Sequence, residues 1–510
     1  MKREHTQAVA QESQGMTRRG FMGAALAGTM GVAAASLLAG CGAPAAEGAK
    51  GSDGDAAWDQ EADVVVIGGG AGGHAAAIEA ANAGASVILL EKASAVGGDS
   101  ALCDGILGGY GTKLATAQGI DVTADDMYEW FMAHPEWYGP KDPAVTRVNA
   151  EKSGETIDWL QDQGVPFEET VAPRFGYTEL PVIHQVDGRG AEMMRVLGEV
   201  AASAGVTTLA DAPAAALVTD TEGRVVGVRA KQGSSELRVQ AKKGVVLACG
   251  GYSGSNSMLA TLNAECANLM AGSSPSLTGD GLAMAMQIGA YATRISDLPL
   301  MSSLAGLEYN AIVNVNYAER LHGLWLDANG ERFFDEETEY ENPLGHRAIL
   351  RKQNEQGSPV VLLLPTTPEL EAVLATRPLE WAKADTVEEV AQMVGLDGAK
   401  VKATVDRYNG FCEAGRDDDF GRPAEFLVPM TGPFYASTIM VSTSVTTGGV
   451  KTNDKAQVLR LLVDDKGAST EPIPGLYAAG VVCEWNCAAG CTVLSAMTLG
   501  RIAGQNVAAG

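Results

Sequence analysis

Gly68-x-Gly70-x-x-Gly73 is the spacing in this chain most able to do chemistry. It stands between an apolar run, "ADVVVI", and a small-residue run, "HAAAIEAANAG". Three glycines so placed have separate tasks. The first permits a tight turn, the second lets backbone approach a pyrophosphate, and the third lets a helix pack on a strand. The helix that follows points free N–H groups and a partial positive charge at phosphate. Glu91 closes the next apolar run, "ASVILLEK", where a carboxylate can accept from both ribose hydroxyls. Together these residues predict a dinucleotide site.

The elements that must hold it follow from apolar periodicity. "ADVVVI", "HAAAIEAANAG" and "ASVILLEK" read as strand, helix and strand, a βαβ unit. Helical patterns dominate from Asp125 to Gly164. "AALVTDTEGRVVGVRA" reads as a hairpin turning at Thr221-Glu222-Gly223, and "KKGVVLACGGY" as a buried strand ending in glycines. A mixed region from about Tyr291 to Pro433 interrupts the pattern. "PGLYAAG" then begins a last strand, and "TVLSAMTLGRIAGQNVAA" a last helix.

The beginning of the chain reads as an address. Thr17-Arg18-Arg19-Gly20-Phe21-Met22 has the form of a twin-arginine export signal, the route for folded cargo. An apolar, Ala- and Gly-rich stretch of about 19 residues follows. Leu38-Ala39-Gly40-Cys41 resembles a lipoprotein box, with cleavage before Cys41. The competing reading is an uncleaved membrane anchor, for which that composition is poor. The expectation is a signal over 1–41, a flexible linker over 42–60, and a protein tethered by lipid to the outer face of the cytoplasmic membrane. An exported enzyme has no steady NAD(P)H pool. FAD, bound before export, explains both the glycine site and the folded-cargo signal.

Charge and cysteines narrow the classes. The net charge of −26 moves to −28 when residues 1–40 leave, since they carry Lys2, Arg3, Arg18 and Arg19 against Glu4 and Glu12. Such a surface repels nucleic-acid backbones. Besides Cys41 there are seven cysteines at scattered spacings, against a disulfide framework. Cys483, Cys487 and Cys491 recur every four residues but lack the tighter spacing of metal and cluster sites, so no metal is expected and they read as pocket lining. No CxxCH occurs, so the electrons must come from an external redox partner, membrane-bound or tethered. His184 reads as structural.

From Glu61 to Gly510 the chain resembles FAD-binding flavoproteins of the fumarate reductase and succinate dehydrogenase type, a superfamily that includes urocanate reductases and 3-ketosteroid dehydrogenases. The resemblance is carried by "VIGGGAGG", "LLEKASAVGGDSALCDG", "VVLACGGY", "TGDGLAMAMQIGA", "ANGERFFDEE", "PGLYAAG" and "TLGRIAG". It implies an α/β fold. A Rossmann-like FAD-binding domain, 61–293 and 433–510, would be interrupted by an inserted α+β substrate (cap) domain, 294–432. It implies FAD contacts at Gly68, Gly70, Ala71, Gly72, Gly73, Glu91, Lys92, Gly97, Gly98, Asp99, Ser100, Gly105, Ala214, Asp280, Gly480, Thr492 and Val493. It also implies hydride transfer between flavin N5 and the β-carbon of an activated C=C bond, with an acid serving the α-carbon.

The chain departs from the fumarate pattern where that pattern holds two carboxylates. "SVTTGGV" has Ser444 and Val445 where a histidine would stand, Cys487 lies near the place of an arginine, and "LLLPTTPELEA" lacks the acid arginine. A dicarboxylate would find no cationic clamps. Tyr340 in "RFFDEETEY" matches the proton-transferring tyrosine of ketosteroid dehydrogenases, and a phenol suits that role in an apolar site. Glu336 is the motif's carboxylate, either catalytic or a salt bridge to Arg332. His346 and Arg347 could hold an anionic substrate group. The leading expectation is a reductase of an enone or acrylate-type small organic acceptor. The alternatives are steroid-type dehydrogenation in the reverse direction and a non-catalytic flavin- or ligand-binding lipoprotein.

Overall fold

The computed structural model describes residues 57–133, 139–174, 178–296, 298, 300–304, 322–337, 344–368, 370–371, 381–488 and 490–510. The proposed leader, 1–41, lies outside them, and no described helix is long and apolar enough to cross a membrane.

The main sheet is built from β1 (Gln60–Ile67), β2 (Val87–Leu90), β3 (Thr207–Leu209), β4 (Ala214–Thr219), β5 (Val225–Gln232), β6 (Ser235–Leu247), β7 (Gln457–Asp464) and β8 (Gly467–Ala478). Its order is β7-β8-β6-β1-β2-β3, with the β4–β5 hairpin joined to β6. The pairs β8–β6, β6–β1, β1–β2 and β2–β3 are all parallel. The thirteen-residue β6 serves two partners along one edge: Ser235–Gln240 pairs with β5, and Val245–Leu247 with Leu476–Ala478 of β8. Successive side chains of β1 enter different cores. Val65 and Ile67 join a core shared with the second sheet, while Val64 and Val66 face the helices.

Two helices cover that helical side: α1 (Ala71–Asn82) directly after β1, and α2 (Thr492–Ala509) at the chain's end. They cross at backbone contact. A Cβ on Gly72 would lie 2.9 Å from the Ala496 carbonyl oxygen, one on Gly500 2.3 Å from that of Gly72, and one on Gly504 2.3 Å from that of Ala76. The small residues of both helices are therefore a packing requirement. Arg501 ties the crossing down with Nε 2.9 Å from Glu79.

A second sheet centres on Phe434–Thr443, which pairs antiparallel with Val360–Pro365, Met301–Leu304 and Ala382–Ala384, and parallel with Met270–Ala271. Leu324–Leu326 continues it beyond Val360–Pro365. Its central strand and its Met270–Ala271 strand both lie outside the 294–432 stretch read as the inserted domain.

Candidate active site

The parallel strands end along one line. Gly68 N–H donates to Leu90 O at 2.8 Å, Ala248 N–H to Ile67 O at 2.7 Å, and Ala479 N–H to Leu247 O at 2.9 Å. Ligands of open parallel sheets bind outside such carboxyl ends. The three glycines after β1 behave differently. Gly68 adopts φ +105°, a conformation that strains any other residue. A Cβ on Gly73 would sit 1.9 Å from Gly68 O, so helix and turn touch there. A Cβ on Gly70 would meet only the Ser100 hydroxyl, at 3.5 Å, which leaves open space above the backbone.

Glu91 is buried beside this turn. One carboxylate oxygen accepts from Gly69 N–H and the other from Ala93 N–H, both at 2.8 Å. A carboxylate has about four lone-pair positions, so acceptor capacity remains for hydroxyls. Ala212 N–H donates to the Glu91 carbonyl, which draws the start of β4, Ala214, to the same side. Ser100 accepts from Ala71 N–H at 3.1 Å, and Gly97 N–H donates to Gly69 O at 2.8 Å. Gly97 and Gly98, at φ +122° and +48°, turn the chain into the helix that carries Asp99 and Ser100. Asp99 accepts from Ser274 N–H at 2.8 Å, yet burial raises its carboxyl to about 6. Gly105, at φ +71°, would bring a Cβ within 2.8 Å of the Arg189 backbone. Lys92 and Asp280 pair with each other at 2.7 Å, with Thr278 between them.

At the far end of the strand line, Gly480 (φ +79°) turns the chain from β8 toward α2. Thr492 and Val493 form the first turn of α2, and no side chain caps it. Its free N–H groups and positive dipole end favour electron-rich ligand atoms. Around this helix start lies an apolar cluster. Trp485, Cys487, Ala488 and Cys491 are buried in it, while Trp130, Leu180 and Val445 pack on it and stay partly exposed. A Cβ on Gly108 would lie 2.7 Å from Cys491 Sγ and 2.9 Å from the Trp130 ring, so ring and thiol meet over that glycine. Burial pushes the Cys487 thiol up to about 12 and raises those of Cys483 and Cys491 as well, which keeps all three neutral. The Lys141 ammonium, which donates to Ala133 O at 2.7 Å, acts against that rise at Cys487. Among the described residues no group of three or more His, Cys, Asp or Glu is placed to hold a metal ion.

The remaining sequence candidates separate. Tyr340 lies outside the described residues. Glu336 is buried, with its two oxygens 2.7 and 2.6 Å from the Arg332 guanidinium. Arg332 also reaches Asp417 at 2.8 Å, and Arg422 reaches Glu337 at 2.5 Å. The ion pair to Arg332 that the sequence offered as one reading of Glu336 is thus present, inside a buried network. His346 and Arg347 differ in setting: Arg347 is exposed, whereas burial lowers His346 to about 4, which favours a neutral imidazole at neutral pH. His184 is held by Val182 O through Nδ1–H at 2.9 Å, and its Nε2 accepts from the Thr112 hydroxyl at 2.7 Å.

Three hydroxyls carry no sequence signal. Ser253 Oγ, Ser273 Oγ and Thr446 Oγ1 are buried without a hydrogen-bond partner. Ser253 lies just past the glycine turn after β6, and Thr446, which follows the strand Phe434–Thr443, packs against that turn, since a Cβ on Gly251 would lie 2.1 Å from Thr446 Oγ1. Ser273 adjoins the Ser274 amide that binds Asp99. Buried hydroxyls rarely stay unsatisfied. With the open space at Gly70 and the spare capacity of Glu91, they fit a long, polar cofactor lying along the strand ends.

Comparisons with known proteins agree with that geometry. Residues 63–492 match the FAD binding domain family. The chain is 30% identical to the digoxin reductase of Eggerthella lenta, over 97% of each chain. It is 32% identical to the vinyl phenol reductase of Lactiplantibacillus plantarum, over 82% of this chain and 89% of that one. Among solved structures, a flavocytochrome c3 fumarate reductase in an open conformation superposes with a TM-score of 0.74 at 26% identity, covering 89% of this chain and 79% of that one. The chain belongs to the FAD binding domain family and is an FAD-dependent oxidoreductase acting on CH–CH groups.

Proposed function

We propose that this flavoprotein works outside the cytoplasm, tethered by lipid at Cys41, and reduces the C=C bond of an enone or acrylate-type acceptor rather than fumarate. When bound, FAD supplies a hydride from N5 to the β-carbon of the acceptor. Glu91, Ser100 and the α1 N-terminus hold its adenosine and pyrophosphate part. The uncapped first turn of α2, with Thr492 and Val493, would offer its free N–H groups to the ring system and to the negative charge it gathers on reduction. Tyr340 delivers a proton to the α-carbon, so two C–H bonds form across the double bond and the saturated product leaves. A membrane-bound or tethered redox partner returns two electrons, and two protons from solvent restore the hydride-donating flavin and the Tyr340 hydroxyl.

The observation that carries this reading is the apolar cluster at the start of α2, which takes in Val445 and Cys487, the positions that the resemblance sets near a histidine and an arginine of the fumarate pattern. It favours an activated C=C bond with little charge over a dicarboxylate. The test is to reduce the protein-bound FAD without oxygen and add single acceptors. An enone or acrylate should reoxidise it faster than fumarate does. The Tyr340→Phe variant should keep FAD and lose turnover by about 10²–10⁴-fold. Unchanged turnover would remove Tyr340 from the mechanism. Bleaching of oxidised flavin by a saturated ketosteroid, with no reoxidation by any C=C acceptor, would assign the reverse direction.

A further inference from the structure

We propose that the acceptor carries an aromatic or alicyclic ring beside its C=C bond, held against an apolar wall formed by Trp130, Leu180 and Val445 at the start of α2. This rests on the reductase reading above and names the substrate class of the same site.

Four observations converge. First, Val445 and Cys487, from strands and turns far apart in sequence, fall in one apolar cluster at the helix start. Second, the wall is layered: Cys487, Ala488 and Cys491 are buried beneath it, while Trp130, Leu180 and Val445 keep part of their surface exposed. Third, the Trp130 ring reaches the residue that precedes α2, because ring and Cys491 Sγ close on the same side of Gly108. Fourth, the thiols beneath are uncharged. A ring placed on this wall leaves water for apolar and aromatic contact. A carboxylate set against the apolar side chains of Trp130, Leu180 and Val445 would lose hydration that they cannot replace.

Binding to the oxidised, FAD-loaded full chain tests this without requiring turnover. Two pairs of saturated, product-like probes are titrated while the flavin absorption is followed: 3-phenylpropanoate against propanoate, and 4-phenylbutan-2-one against butanone. Succinate is the dicarboxylate control. In at least one pair the phenyl-bearing probe should bind about ten- to a hundredfold tighter, with succinate no tighter than propanoate. Trp130→Ala should erase most of that advantage and leave the phenyl-free probe unchanged. Taking the ratio within each pair cancels the contribution of the shared polar end. Val445→Asn, on a different element, repeats the test if the first variant loses FAD. No phenyl advantage in either pair, equal weakening of both members by the variants, or tightest binding by succinate overturns the proposal. A phenyl advantage in a protein whose reduced FAD no C=C acceptor reoxidises would leave the wall standing and sink the reductase reading instead.

Discussion

Glu91 shows how one residue can serve the fold and the cofactor together. Its two oxygens satisfy Gly69 and Ala93 N–H groups, and so shape the turn after β1 that the proposed reading assigns to the pyrophosphate. Glu91→Gln replaces one acceptor with an N–H₂ group facing a backbone donor. Hydrogen bonds to charged groups contribute about 1.5–3 kcal/mol each. FAD affinity, read by flavin fluorescence on dilution, should fall by roughly ten- to a hundredfold. Asp99 gives a pH signature. Its buried carboxyl sits near 6 in the folded chain against an ordinary 3.8. The folded form therefore binds an extra proton between those values. The associated stability is fully present below 3.8 and is lost as pH rises through about 6. In FAD-free protein, Asp99→Asn should melt higher than the parent above pH 6 and alike below pH 4 (about the ordinary carboxyl value). Identical pH profiles would show that Asp99 is not the buried group assigned here.

At the scale of elements, the α1–α2 crossing links the two ends of the cofactor crevice. Gly500 and Gly72 touch backbone to backbone, so Gly500→Val must push the helices apart. Overpacking of this kind costs about 1–3 kcal/mol. Urea unfolding should show that loss together with reduced flavin content, since α1 and α2 each present an N-terminus to the crevice; full flavin content in a destabilised variant would separate the crossing from the site. The βαβ unit, the hairpin and the last helix, Thr492–Ala509, were legible because apolar periodicity and glycine punctuation reported them directly. The second sheet was not. Phe434–Thr443 is buried along both faces by partners drawn from distant stretches, which no local pattern announces. For the same reason Glu91 was legible in a strand-end position, whereas Ser253, Ser273 and Thr446 acquire meaning only from burial. Glu336 stood in a recognisable motif, but Asp417 and Arg422, which complete its network, come from a separate part of the chain.

The chain joins a net charge of −26, parallel strands whose carboxyl ends meet along one line, and an apolar cluster at the start of α2. The net charge of −26 disfavours contact with nucleic-acid backbones. The crevice suits a long polar cofactor, and the wall suits an acceptor of low charge. The central claim is that this arrangement reduces a C=C bond with the flavin it holds. A single-turnover measurement addresses it most directly: protein-bound FAD is reduced without oxygen, mixed with one equivalent of an enone or acrylate, and both flavin absorbance and product mass are followed. The account predicts one saturated product formed for each FAD reoxidised, with two hydrogens added across the double bond. Reoxidation without saturated product, or no reoxidation by any activated C=C acceptor, would contradict it.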